Sequence, residues 1–380
     1  MRGRQGRQNV IRTQGGVIGA AASADNPFDC FKLFFTDEIL DKIMEQTNHN
    51  IQLFLDKLSH DTLHKILSKR PSVRETNRTE LTALFGLFLA RGMQQHNYWD
   101  IQRLFSDLSH PIFQATMSVH RFKFLVRFLS FDDKTTRNER WQTDRFAACR
   151  TVFEMWNEQC GQQLQMNEYG AIDECLYSCR NQISFRQFNP SKPLKYRLLF
   201  KCINEVIYPY THRSEVFAGK PVDSSNPEYY IPSTEGITLR LIDQVRKYQD
   251  LQGRNITLDN LYTSIPLAEQ LLDREMTLVG TMRSNRRGLP KELLNTKDRE
   301  VNSTEVWWEM SRQIMTLTSY CVQTKSKGKK VVTVLSTVPP LLGVTKDEKK
   351  KPAIIKFYDF TKENHFYCKC YYNYYHRFYL

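Results

Sequence analysis

Residues 256–272, ITLDNLYTSIPLAEQLL, and residues 277–290, TLVGTMRSNRRGLP, carry the reading on which the fold turns. Within RNITLDNLYTS (254–264) a short β-favouring run ends at Asp259 and gives way to turn residues. The segment IPLAEQLLDREM (265–276) then shows helical spacing, with Pro266 at a first turn that tolerates it. MTLVGTMRS (276–284) reads as a further strand. A strand, a helix and a second strand in so short a space predict a mixed α/β layer.

Outward from this stretch the same alternation continues. YGAIDECLYS (169–178) and KYRLLFKCINEVI (195–207) are β-favouring runs, and ITLRLIDQVRKYQDL (237–251) is helical. Residues 291–350 are β-rich and more polar, as in IMTLTSYCVQTKSKGKKVVTVLSTV (314–338), and end in the charged run KDEKKK. They are expected to form an inserted subdomain, with Trp307 and Trp308 in its core rather than stacked on bases. Upstream, residues 27–165 are helical in pattern. FFTDEILDKIMEQTNHNIQLFL (34–55) has Thr36 as candidate N-cap and Ile39, Leu40 and Ile43 at helical spacing. ELTALFGLFLARGM (80–93) is almost wholly apolar and is expected to be buried. In VHRFKFLVRFLSFDD (119–133), Phe122, Leu125, Val126 and Leu129 form an apolar stripe, with Arg121, Lys123 and Arg127 off it. Residues 1–26, rich in Arg, Gly, Gln and Ala, are expected to be a disordered basic tail.

The bulk numbers narrow the function classes. Apolar residues make up 41% and charged residues 25%, ordinary for a globular protein. No run approaches the ~18 apolar residues of a membrane span, and no apolar signal core follows the basic start. Nine cysteines without a repeating spacing point to reduced thiols. The 54 Lys+Arg against 41 Asp+Glu give a net charge of +13, which suits a polyanionic partner such as nucleic acid.

Two carboxylates stand out by position. Asp173 in AIDEC and Asp259 in ITLDN each close a predicted strand, where a side chain is fixed by the sheet yet faces its rim. Each can be a capping or turn aspartate. On neighbouring strands they can instead share a divalent cation such as Mg²⁺, which prefers hard oxygen ligands and aligns in-line attack on a phosphodiester.

Several motifs, in order, resemble the piggyBac transposase family. There an aspartate ends a strand, an aromatic-Thr-Ser-(Ile)-Pro-Leu turn opens a helix, and a Gly-Thr-x-Arg-x-Asn-(Lys/Arg) strand follows, as in residues 256–287 here. AIDECLYSCRNQISFRQFNPSKPLKY (171–196) resembles the first catalytic segment, and residues 80–106 and 120–133 resemble the preceding helical domain. The resemblance implies an RNase H-like catalytic core over 166–290, preceded by the first half of a helical dimerisation and DNA-binding domain over 27–165. It also implies a three-aspartate (DDE) site that cuts and rejoins DNA, with Asp173 and Asp259 as its first two metal-binding and catalytic acids. Mg²⁺ (or Mn²⁺) in a two-metal site, homodimers, TTAA targets in double-stranded DNA and a nuclear location come with it. Lys192, Lys195, Arg283, Arg286 and Arg287 lie in the motif segments and are candidate DNA contacts, against the alternative of solvated basic turns.

The resemblance runs from about Phe34 to Lys362, and residues 351–380 are read as the start of the last catalytic segment followed by an aberrant Tyr-rich tail. In the family a Tyr-Asn-x-Thr-Lys-x-Gly-Val-Asp stretch delivers the third aspartate, and another important aspartate follows three residues later. Here FYDFTK (357–362) begins that stretch, but counting from Thr361 places Phe366 and Lys369 in the acid slots. Asp359 falls in the earlier Asn slot and is not expected to be a ligand. The Tyr-rich tail holds His365, Cys368, Cys370 and His376, whose spacing suits a closed zinc site poorly. The second half of the DNA-binding domain and the family's Cys-rich module are expected to be missing. The expectation is a transposase-derived DNA-binding protein with impaired catalysis; the alternative is a non-catalytic DNA-binding or decayed element product.

Overall fold

The computed structural model describes residues 10–179, 181–190, 195–223, 233–310, 314–324 and 328–364. The chain divides into two compact units. The helical unit comprises 24–159 with 218–228, and the sheet unit comprises 1–23, 160–217 and 229–380.

The helices are α1 (Pro27–Phe34), α2 (Asp37–Leu55), α3 (His60–Lys69), α4 (Arg78–Met93), α5 (Ile101–Leu104), α6 (Ile112–Thr116), α7 (Val119–Phe128), α8 (Arg137–Thr143), α9 (Ala147–Gln162), α10 (Thr234–Arg246), α11 (Ile265–Asp273) and α12 (Ala353–Asn364). In the helical unit Thr36 caps α2 as expected, its Oγ1 accepting from the Ile39 N–H at 3.4 Å. Ile39, Leu40 and Ile43 of α2 meet Leu81, Leu84 and Leu87 of α4 and Phe122 and Leu125 of α7 in one buried cluster. Two expectations need correction. Only one stripe of α4 is buried; Leu89 is 57% and Met93 84% exposed, because the 3.6-residue period turns them away from Leu81, Leu84 and Leu87. Val126, expected on the apolar stripe of α7, is 40% exposed, whereas Arg121, expected off that stripe, is buried. It forks onto both Glu80 oxygens at 2.7 and 2.6 Å and donates to the carbonyls of Ser72, Arg74 and Glu75, so burial leaves no donor of that fork stranded.

The strands are β1 (Gly16–Val17), β2 (Leu164–Gln165), β3 (Tyr169–Ser178), β4 (Gln187–Phe188), β5 (Tyr196–Glu205), β6 (Thr211–Val216), β7 (Asn255–Leu258), β8 (Thr277–Met282), β9 (Thr304–Trp308), β10 (Thr316–Thr324) and β11 (Gly328–Ser336). Among the described residues one nine-stranded sheet runs β4-β5-β3-β7-β8-β11-β10-β9, with β6 also paired to β5. β3, β7 and β8 are parallel, and the other pairs in this sheet are antiparallel. One face carries α10 and α11, whose Leu241, Ile242, Leu267 and Leu271 pack with Ile172, Ile256, Leu258 and Leu278. The other face carries α12, with Ile354, Ile355 and Tyr358 against Val279, Tyr320 and Val334. Tight apolar packing on both faces makes the central strands nearly continuous in burial, as parallel strands require.

The strands of residues 291–350 do not form a separate body: β11 pairs with β8, so they extend the central sheet. Trp307 and Trp308 lie on the edge strand β9, 39% and 43% exposed, so neither is a core residue. The basic-tail expectation fails over residues 10–26. Gly16 and Val17 pair with Gln165 and Leu164, and Arg254, fully buried, donates to the Thr13 carbonyl at 2.7 Å. Gly253, at φ +79°, has no Cβ because Val10 and Ile11 backbone atoms fill that space. Such long-range backbone pairing leaves no periodic signal.

Candidate metal and DNA site

Parallel pairing of β3 with β7 sets Ala171 beside Thr257 and Ile172 beside Leu258. Asp173 does not close its strand as expected, because β3 runs on to Ser178 paired with β5. Asp173 and Asp259 each stand one residue beyond the last β3–β7 pair, so the register brings them together where that ladder ends, their backbones about one strand spacing, ~5 Å, apart. Alternation puts them on the face opposite Ile172 and Leu258. That is the face of α12, where Thr257 Oγ1 meets Thr361 Oγ1 at 2.7 Å in the interior.

Each acid is oriented by the chain itself. The Glu174 N–H donates to Asp173 Oδ1 and the Asn260 N–H to Asp259 Oδ1, both at 2.7 Å. The Asp259 carbonyl accepts from the N–H groups of Tyr262 and Thr263, closing a tight turn into α11, which Ser264 caps. Gly280 on β8 leaves room for that turn: a Cβ there would stand 2.2 Å from Thr263 Oγ1 and 2.9 Å from the Leu258 carbonyl. Tyr262, buried, donates to Glu174 Oε1 at 3.4 Å and ties the second aspartate's turn to the residue after the first. Burial, then the carboxylates of Glu174 and Asp173, push its phenol pKa well up, so it remains a donor. Lys201, opposite Glu174 across the β3–β5 ladder, lies 5.9 Å from the Tyr262 ring centroid; burial lowers its pKa.

On the α12 side, Lys362 Nζ stands 2.9 Å from Asp259 Oδ1 and donates to the Tyr358 hydroxyl at 3.0 Å. Burial disfavours its charge, but the Tyr358 and Asp259 oxygens outweigh that and hold its pKa above the ordinary lysine range. Tyr358 Oη in turn lies 3.3 Å from Thr281 Oγ1. Asp359 pairs with Lys351.

Two adjacent hard-oxygen donors suit part of a divalent-cation shell. Among the described residues no group of three or more His, Cys, Asp or Glu forms such a shell. The acid pair supplies two such donors, and Lys362 stands against one of them.

The comparisons agree with this geometry. Residues 26–373 match a family model described as Transposase IS4, of the DDE type. A solved cryo-EM structure of a piggyBac transposase synaptic complex with hairpin DNA is similar over 94% of this chain and 70% of that one, at 30% identity and a TM-score of 0.80. The chain belongs to the piggyBac-type transposase family. Its fold is the RNase H-like α/β core of that family with a preceding helical domain.

Within this piggyBac-type frame the predicted basic residues separate. Arg283 Nε donates to Asn260 Oδ1 at 3.1 Å, and Arg286 donates to the Asn260 and Leu261 carbonyls. Both thus clamp the turn that carries Asp259, while Arg287 is exposed beside them. Lys195 is exposed but distant along the sheet. Cys202 is the register partner of Asp173, and Lys195 is seven residues before it, roughly 23 Å at strand rise. Lys192, Phe366 and Lys369 lie outside the described residues, as do His365, Cys368, Cys370 and His376. Lys362, Tyr358 and Tyr262 stand at this site within FYDFTK and LYTS, but no local pattern marks them, because each makes its contacts with a distant segment.

Proposed function

We propose that this piggyBac-type chain binds double-stranded DNA of the transposon-end kind beside the Asp173–Asp259 pair, and that its own cleavage and strand-transfer chemistry is impaired. The observation that carries the reading is the register: Ile172 beside Leu258 delivers both family acids to the point where the β3–β7 ladder ends. Asp173 and Asp259 would hold Mg²⁺ (or Mn²⁺), which supplies Lewis-acid polarisation of a phosphodiester and a template for in-line displacement. The chain's part is positional. Backbone N–H groups fix one oxygen of each acid, and Arg283 and Arg286 hold the turn while adding positive charge where phosphates would pass.

Lys192, Lys195, Arg283, Arg286 and Arg287 are proposed as backbone contacts, and the net charge of +13 supports a partner of that kind. TTAA targets, a homodimer and a nuclear location belong to the same proposal. Impairment rests on the identity of residues 366 and 369, Phe and Lys, and on the lack of Asp or Glu from 364 to 380. Groups that act as one catalytic unit fail together.

The test is a titration of the purified chain onto labelled hairpin and linear transposon-end duplexes, followed by Mg²⁺ or Mn²⁺. Binding without cleavage is the expected outcome. Robust metal-dependent cleavage would remove the impairment, and no preference over unrelated anionic polymers would remove the DNA reading.

A further inference from the structure

The end of the β3–β7 ladder carries a cation of the chain's own. Lys362 is not a loosely solvated lysine: its ammonium touches Asp259 Oδ1 and the Tyr358 hydroxyl, and its side chain is only 23% exposed. The helix beneath it is fixed, through Ile354, Ile355 and Tyr358 in the apolar cluster and Thr361 on Thr257. Two carboxylates whose backbones stand one strand spacing apart repel each other, and a positive charge at either relieves that repulsion.

We propose that Lys362 is the resident counter-cation of the Asp173–Asp259 pair, an internal competitor that a divalent cation must displace from Asp259. The proposal rests on reading the pair as a metal site. Two observations favour competition over mere proximity. The ammonium lies 2.9 Å from an Asp259 carboxylate oxygen, so its charge and that of an arriving ion bear on the same carboxylate. Tyr358 offers a second partner on the same helix, and its hydroxyl already accepts from Nζ, so Lys362 has somewhere to remain when Asp259 is taken. Lysine suits this role better than arginine, since a compact ammonium on a flexible stem can move without breaking a bidentate fork. The arrangement keeps α12 tethered to the strand end and lowers the affinity of the pair for metal.

The experiment measures Mn²⁺ binding to the full chain by the electron paramagnetic resonance of free Mn²⁺, together with the melting temperature in EDTA and in excess Mn²⁺. Wild type, Lys362→Met, Lys362→Arg and Asp259→Asn are compared. Lys362→Met is expected to bind Mn²⁺ roughly two- to fivefold more tightly, the size of one partly exposed ion pair. It should also melt lower in EDTA and gain more from Mn²⁺ than wild type does. Lys362→Arg, which keeps the charge, should stay near wild type. If Lys362→Met leaves affinity unchanged or weaker while Asp259→Asn abolishes binding, the competitor is refuted and the metal-site reading stands. If neither wild type nor Lys362→Met binds Mn²⁺, the metal-site reading fails and takes the inference with it.

Discussion

At Gly280 the β8 backbone passes so close to the Asp259 turn that a single methyl group has no place. The nearest atoms to a Cβ include the Leu258 carbonyl, which is backbone and cannot rotate aside. Gly280→Ala is therefore expected to destabilise the fold by about 1–3 kcal/mol, the range of overpacking, read from urea unfolding midpoints. A midpoint equal to wild type would show that the turn yields. The same close approach explains why a glycine stands in the Val-Gly-Thr motif: it lets Thr263 donate to the Asp259 carbonyl at 2.9 Å and so holds the acid's own residue. Lys362 belongs to this scale too, its single ammonium standing 2.9 Å from one Asp259 carboxylate oxygen.

Among the elements, α7 and α4 are joined by a charged pair inside an apolar unit. Arg121 makes five hydrogen bonds to Glu80 and to three carbonyls of the preceding loop. Removing it by Arg121→Ala takes two hydrogen bonds from a part-buried carboxylate that keeps Arg74 and Thr76, and should cost about 1.5–3 kcal/mol. The pair also has a pH signature. Burial works against the Glu80 charge, but the hydrogen bonds from Arg121 and Thr76 win and its pKa is lowered on folding. Its stabilising contribution is thus present above the unfolded value of about 4.3, and it is lost as pH falls through the lower folded value. The Arg121→Ala penalty, measured by urea melts at pH 7 and again near pH 3, should shrink at the acid end. An undiminished penalty would mean that the arginine acts through its carbonyl contacts alone.

For the whole molecule the leading quantity is charge and where it gathers. If Arg283, Arg286 and Arg287 face phosphates, replacing Arg286 and Arg287 together by Ala should weaken binding to all duplex sequences alike. It should also reduce the slope of log K against log salt by roughly 0.9 for each phosphate no longer neutralised. Arg286 additionally holds the Asn260 and Leu261 carbonyls, so its loss should lower stability, whereas Arg287→Ala alone should not. Fluorescence anisotropy across a salt series, beside thermal melts, separates the two roles. A fall in stability with an unchanged salt slope would make Arg286 a positioning residue only.

The sequence alone determined the strand that ends just before Asp259, the Thr36 cap and the family, because these rest on local patterns: β-favouring runs, helical spacing and short ordered motifs. Tertiary structure alone decided which strands are neighbours, and hence that the two acids meet, since register is a property of pairs of segments. It also turned the β-rich stretch into an extension of the sheet, moved Trp307 and Trp308 to an exposed edge, and drew residues 10–17 onto the fold. Lys362 shows the reason most directly. Its place in FYDFTK says only that it follows Thr361, while its meeting with Asp259, more than 100 residues away in the chain, exists because Thr361 packs on Thr257 inside the sheet unit.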